Sequence, residues 1–106
     1  MDPRLSEVAE QLLLIERELR VLGWWADAAP SAEALSSPEP FCVDTLAFDE
    51  WLQWIFLPKM KIILESGADL PQASGIRPMA EMAFREHPVE VRALLESLGE
   101  FDRLIG

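Results

Sequence analysis

Three features of this sequence predict an all-α fold, an antiparallel four-helix bundle formed by residues 1–106 as one domain. Leu, Ala and Glu are abundant, Tyr is absent, and Val and Thr are sparse, a balance that favours helix over sheet. Several stretches repeat apolar residues three and four apart, the spacing of one helix face. Breaks rich in Pro, Gly and Ser separate those stretches. A chain of 106 residues suits a single core, and a hydrophobic content of 50% argues against disorder.

The first helix is predicted from about Pro3 to Leu22. Leu5, Val8, Leu12, Ile15, Leu19 and Leu22 fall on one stripe, while Glu7, Glu10, Glu16, Arg17, Glu18 and Arg20 lie largely off it. Asp2 can cap its start, Pro3 suits the first turn, and Gly23 suits the end. Residues 26–40 read as a loop punctuated by Pro30, Pro38 and Pro40, with Trp24, Trp25, Phe41 and Val43 placed to pin its two ends to the core.

The second helical segment runs from about Phe48 to Glu65. Asp49 and Glu50 sit in its first turn, where negative charge complements the helix dipole. Between Trp51 and Leu57 only Gln53 is polar, which predicts a helix buried in the centre of the domain. Pro58 lacks the N–H that would bond the Trp54 carbonyl, and its ring crowds that carbonyl. Met60, Ile63 and Leu64 nevertheless continue the apolar face, so the expectation is one helix kinked at Pro58, or two collinear halves, ending at Gly67.

Residues 66–76 form a second loop. Pro78 then opens a short helix whose inner face is expected to be Met79, Met82, Ala83 and Phe84. His87-Pro88 starts the last helix, with Pro88 at its first position and Val91, Leu94, Leu95, Leu98, Phe101 and Ile105 as its buried stripe.

Charge narrows the possible partners. Nineteen acids against nine bases give a net charge of −10, a surface repelled by phosphate backbones and anionic membranes and suited to basic proteins. Direct nucleic-acid binding is therefore not expected, and Lys59, Lys61 and Arg77 make only a small basic cluster. No apolar run is long enough to span a bilayer, the N-terminus lacks the apolar centre of a signal peptide, and the single cysteine precludes an internal disulfide. These features place the chain in the cytoplasm.

The inventory for catalysis is thin. One His and one Cys provide no CxxC, HExxH or paired Glu-x-x-His motif, so no metal is expected. The five glycines are scattered and write no phosphate-binding loop, and no cofactor is expected. Cys42 lies between Phe41 and Val43, a setting that suits a buried thiol, and His87 precedes a proline at a helix start. Asp44 and Thr45 are polar groups just before an apolar helix, where capping a turn is the ordinary use. The remaining signal is Trp24, Trp25, Trp51 and Trp54, of which Trp54 lies off the main stripe of its helix and is the best candidate for an exposed anchor.

The strings Phe41-Cys42-Val43-Asp44-Thr45, Glu50-Trp51-Leu52-Gln53-Trp54 and Pro58-Lys59-Met60 resemble the signature of the YqcC-like family of small proteobacterial proteins. The likeness extends over nearly the whole chain, through Trp25, Glu81-Met82-Ala83 and His87-Pro88. The resemblance implies a helical bundle, and it implies a link to tRNA pseudouridine synthase C, whose name family members often carry. It directs attention to Asp44, Thr45, Trp51, Trp54 and Lys59 as binding residues and supplies no catalytic ones. Synthases of that class use an aspartate in an Arg-Leu-Asp motif within a much larger α/β domain, whereas here the nearest string is Phe101-Asp102-Arg103-Leu104, in the wrong order. The expected function is an interaction or accessory module without its own catalysis, with a basic RNA-modifying enzyme as partner. The alternative is tRNA uridine isomerisation by the chain itself.

Overall fold

The computed structural model describes residues 2–106, and every regular element among them is helical. The order is α1 (Leu5–Val21), α2 (Ala32–Leu35), a 3-10 turn (Pro40–Cys42), α3 (Phe48–Trp51), a π-helical segment (Leu52–Phe56), α4 (Leu57–Ser66), α5 (Ile76–Ala83) and α6 (Arg92–Ile105). None of these helices is long and apolar enough to cross a membrane.

Helix α1 follows its predicted stripe, with Val8, Leu12, Ile15 and Leu19 buried. It packs most extensively on α6, whose buried residues include Leu94, Leu98, Phe101, Leu104 and Ile105. Asp2 works differently from the expected simple cap. Its Oδ1 accepts from the Arg4 backbone N–H at 2.9 Å and its carboxylate grips the Arg4 guanidinium, whose Nη1 donates to the Leu104 carbonyl at 2.9 Å. The two chain ends are thus clasped through one arginine. The Arg4 hydrogen bonds hold the Asp2 carboxyl at about 2, below its ordinary 3.8. Because the folded value lies below the unfolded one, the clasp's contribution is present above pH 3.8 and lost as pH falls towards 2. The protection factor of the Arg4 amide, taken against intrinsic exchange at each pH, is expected to fall across that window, and Arg4→Met is expected to abolish that fall.

The segment from α3 to α4 is one uninterrupted helix, with helical backbone angles on both sides of Pro58. The discontinuity expected at Pro58 is the π segment just before it, in which the Leu57 N–H bonds the Leu52 carbonyl five residues back. Widening the turn moves the Trp54 carbonyl away from the Pro58 ring, which it would meet in a regular α-helix. Gly67, at φ 72°, ends the helix in the left-handed conformation.

Gln53 is 5% exposed, and the loop after α1 satisfies it. Its Oε1 accepts from the Ala26 N–H at 2.8 Å and its Nε2 donates to the Ala26 carbonyl at 2.7 Å, so one side chain acts as a peptide group for another. Gln53→Leu keeps the volume and strands both Ala26 groups. Chemical denaturation is expected to register a loss of about 1–2 kcal/mol.

Three sequence expectations need correction. Residues 26–40 contain one helical turn, α2, capped by the Ser31 hydroxyl accepting from the Ala34 N–H at 3.1 Å. Helix α5 starts two residues before Pro78, and its buried face is Ile76, Ala80 and Phe84, with Met79 half-buried and Met82 exposed. Assigning Ile76 to the loop rotated the expected stripe. Helix α6 starts at Arg92 and not at Pro88, because Val91, at φ −97° and ψ 8°, separates it from the preceding turn.

Candidate interaction surface

An unbroken aromatic chain organises the side of the molecule where the 3-10 turn meets α3 and α5. His87 lies edge-on to Trp24, and Trp24 meets Phe84 at 4.9 Å between centroids. Phe84 meets Phe48, Phe48 meets Trp51, Trp51 meets Phe56, and Phe56 meets Phe101 at 5.0 Å. Phe41 closes on this chain from outside, 4.8 Å from Trp51 and 5.7 Å from Phe48.

Phe41 reaches that position through an uncommon backbone. Phe41 has φ 58° and Cys42 has φ 50°, two consecutive non-glycine residues in the left-handed region. Each such residue costs on the order of 1 kcal/mol or more, and surrounding contacts must hold it. Here the Phe41 ring is anchored by Trp51 and Phe48, Cys42 is buried, and the Thr45 and Leu46 N–H groups bond the Cys42 carbonyl.

The turn stands between two hollows. One, of about 460 Å³, is walled by Phe41, Val43, Leu46 and Phe48 on one side and Met79 and Met82 on the other. Val43 is 63% exposed and Met82 is 67% exposed, so this hollow gathers two of the large apolar side chains that folding leaves in water. The second, of about 330 Å³, is lined by Phe41, Trp51, Ile55, Lys59, Met60 and the 71–76 loop.

The five binding candidates do not converge. Trp51 and Lys59 share the second hollow. Trp54 lines a separate depression with Trp25, Asp27 and Lys61, and its indole N–H is buried without a partner among the described residues. Beside it Trp25 is covered by the Arg20 guanidinium at 4.5 Å. Asp44 and Thr45 brace the turn: Asp44 Oδ1 accepts from the Ser37 hydroxyl at 2.5 Å, and Thr45 Oγ1 donates to the Ala34 carbonyl at 2.7 Å. Phe41, Val43, Met79 and Met82 were not singled out by sequence reasoning as surface residues. One signal was available, since no Lys, Arg or His occurs from 21 to 58 while Asp27, Glu33, Glu39, Asp44, Asp49 and Glu50 do.

That imbalance sets the electrostatics of the surface. Burial pushes the Asp49 carboxyl above its ordinary value and the neighbouring Glu50 adds to the shift, against an opposing hydrogen bond from its own backbone. On α1, Glu16 is lowered. There burial acts upward but is outweighed by hydrogen bonds from Lys61 at 3.2 Å and Arg20 at 3.1 Å. No group of three His, Cys, Asp or Glu side chains among the described residues is arranged to hold a metal.

Comparison with known proteins adds context. A family model described as tRNA pseudouridine synthase C, DUF446, matches residues 7–104. An uncharacterised protein of Haemophilus influenzae is 37% identical over 99 residues, covering 93% of this chain and 92% of the relative. Protein YqcC of Escherichia coli is 37% identical over 100 residues, covering 93% and 88%. The solution NMR structure of YqcC from E. coli superposes with a TM-score of 0.84 at 32% identity, covering 98% of this chain and 89% of that one. A protein of Pectobacterium carotovorum named tRNA pseudouridine synthase C is 44% identical over 70 residues, which are 66% of this chain but only 19% of that protein. With nearly the whole sequence matched by the family model and by full-length relatives, the chain belongs to the YqcC-like DUF446 family.

Proposed function

We propose that this protein is a cytoplasmic accessory module that binds a tRNA pseudouridine synthase and has no catalysis of its own. The observation that carries the reading is the Pectobacterium relative. There the matching segment is about a fifth of a protein named for the synthase, and the other four-fifths lie outside the match. The same region makes up about nine-tenths of the H. influenzae and E. coli relatives, and a segment joined to a larger protein in one organism and separate in others is what two associating chains produce. Charge supports the same division of labour. At −10 this chain repels a tRNA backbone and attracts the basic surface that a tRNA-binding enzyme must carry. The packing of α1 on α6, of α5 on α6, and of α4 on α1 supports an antiparallel four-helix bundle as the scaffold of this module. Of the sequence candidates, Trp51 and Lys59 line the smaller hollow, which shares Phe41 with the larger one.

The test combines the purified chain with the tRNA pseudouridine synthase of the same cells and unmodified tRNA. The two proteins are expected to co-elute at low salt and separate as salt is raised, because the attraction is between exposed charges. Pseudouridine is expected only where the synthase is present. Product from this chain alone would overturn the non-catalytic reading, and failure to associate at any salt concentration would overturn the accessory one.

A further inference from the structure

We infer that the hollow between the Phe41–Phe48 segment and α5 is the docking groove, and that its occupant is a basic amphipathic helix of the partner synthase. The inference rests on the accessory reading and adds the surface and the chemistry of what it receives. Two properties of the groove point to this occupant.

The first is what the groove lacks. Among the described residues there is no strand whose edge a peptide could extend, so the occupant gains nothing from main-chain pairing and must be held by its side chains. Val43, Phe48, Met79 and Met82 offer an apolar trough of about 460 Å³, room for two or three apolar side chains. An amphipathic helix delivers such a set, projecting residues three and four apart from one face. Methionine suits the receiving wall because its unbranched, polarisable side chain adapts to what enters.

The second is charge. The segment forming one wall holds Asp44 and is flanked by Glu39, Asp49 and Glu50, inside a 38-residue stretch, 21–58, that holds six acids and no base. Glu86 adds another acid and Arg85 the one base on the opposite wall. A helix with apolar anchors and flanking Lys or Arg satisfies both properties, while an acidic helix or a second copy of this −10 chain meets like charge.

Two measurements test this. Affinity for the purified synthase is measured by calorimetry for the wild type, Val43→Glu, Met82→Glu, Glu39→Gln and, as a control, Ile62→Glu, which is also strongly exposed but lies outside the groove. The groove variants alter exposed side chains, and their thermal midpoints verify the fold. Val43→Glu and Met82→Glu are each expected to weaken binding at least ~10-fold, as loss of a central apolar anchor does. Glu39→Gln is expected to weaken it ~2- to 5-fold and to flatten the salt dependence. Ile62→Glu should stay within ~2-fold. In parallel, a photo-crosslinking residue is placed at Met82 in cells, and the captured peptide is sequenced. A basic segment with helical apolar spacing supports the inference. An acidic segment, a second copy of this chain, or no capture at Met82 overturns it. If the synthase binds and the groove variants bind equally well, the groove is wrong and the accessory reading stands. If Met82 captures a basic amphipathic segment of some other protein while the synthase does not bind, the groove stands and the synthase is the wrong partner.

Discussion

Phe101→Ala is expected to remove about 3–5 kcal/mol of stability, the usual cost of deleting a buried aromatic. Phe101 is 1% exposed and stands edge-on to Phe56 at 5.0 Å, so it joins α6 to the central helix where the π segment ends. It also belongs to the face of α6 that carries the pairing with α1. Removing the ring leaves a void bordered by two helices whose backbones are held by other contacts, so collapse is incomplete and the cavity term persists. A domain of this size shifts its melting point by about 4–8 °C per kcal/mol, so a fall on the order of 20 °C is expected in a thermal melt. Phe101→Leu retains most of the volume and is expected to lose less than about 2 kcal/mol. If the two variants melt together, the aromatic contact with Phe56 is not what joins the helices.

What the sequence allowed one to read, and what it hid, follows from range. The α1 stripe was legible because each of its residues is placed by neighbours three and four away. Continuity through Pro58 was legible for the same reason, since Met60 and Ile63 kept the phase of Phe56. The π segment that accommodates Pro58 was not, because it is chosen by packing on both sides at once. The left-handed pair Phe41 and Cys42 carries no glycine to announce it. It is held by aromatic contacts with Phe48 and Trp51 and by the Asp44 and Thr45 bonds to the preceding loop. Asp44 and Thr45 were noticed for their polarity, and the structure gives that polarity a local task. Met82 was expected inside, and its exposure became visible only when Ile76 entered the helix and reset the phase. Family resemblance reached the fold and the signature but not the surface, because a motif marks residues that recur without saying which face them outward.

The same problem of range concerns Asp102, which the sequence offered only as part of a string in the wrong order for catalysis. Its carboxylate reaches back across 25 to 28 residues to cap α5: Oδ1 accepts from the Ser74 hydroxyl at 2.5 Å and from the Ile76 N–H at 3.0 Å, and Oδ2 accepts from the Arg77 N–H at 2.9 Å. Helix α5 has only eight residues, and Gly75 at its N-cap has no side chain to offer, so this distant carboxylate is its N-terminal cap. A negative charge at that end also complements the helix dipole. Asp102→Ala is expected to cost about 2–3 kcal/mol, since three donors lose a charged acceptor. The loss has a direction that a general destabilisation does not. The amides of Ile76, Arg77 and 79–83 should lose exchange protection before those of α1, because the three bonds of the cap all go to Ser74 and α5 and none to α1. Met79 and Met82 form the α5 wall of the proposed groove, so partner affinity should fall with α5 order even at temperatures where the rest of the molecule stays folded. Ser74→Ala removes one donor and leaves the two backbone bonds, and a change below about 1 kcal/mol is expected with α5 still protected. Equal exchange rates in α5 before and after Asp102→Ala would mean that burial of Ile76, Ala80 and Phe84 is enough to hold the helix, and the groove wall would then need no cap.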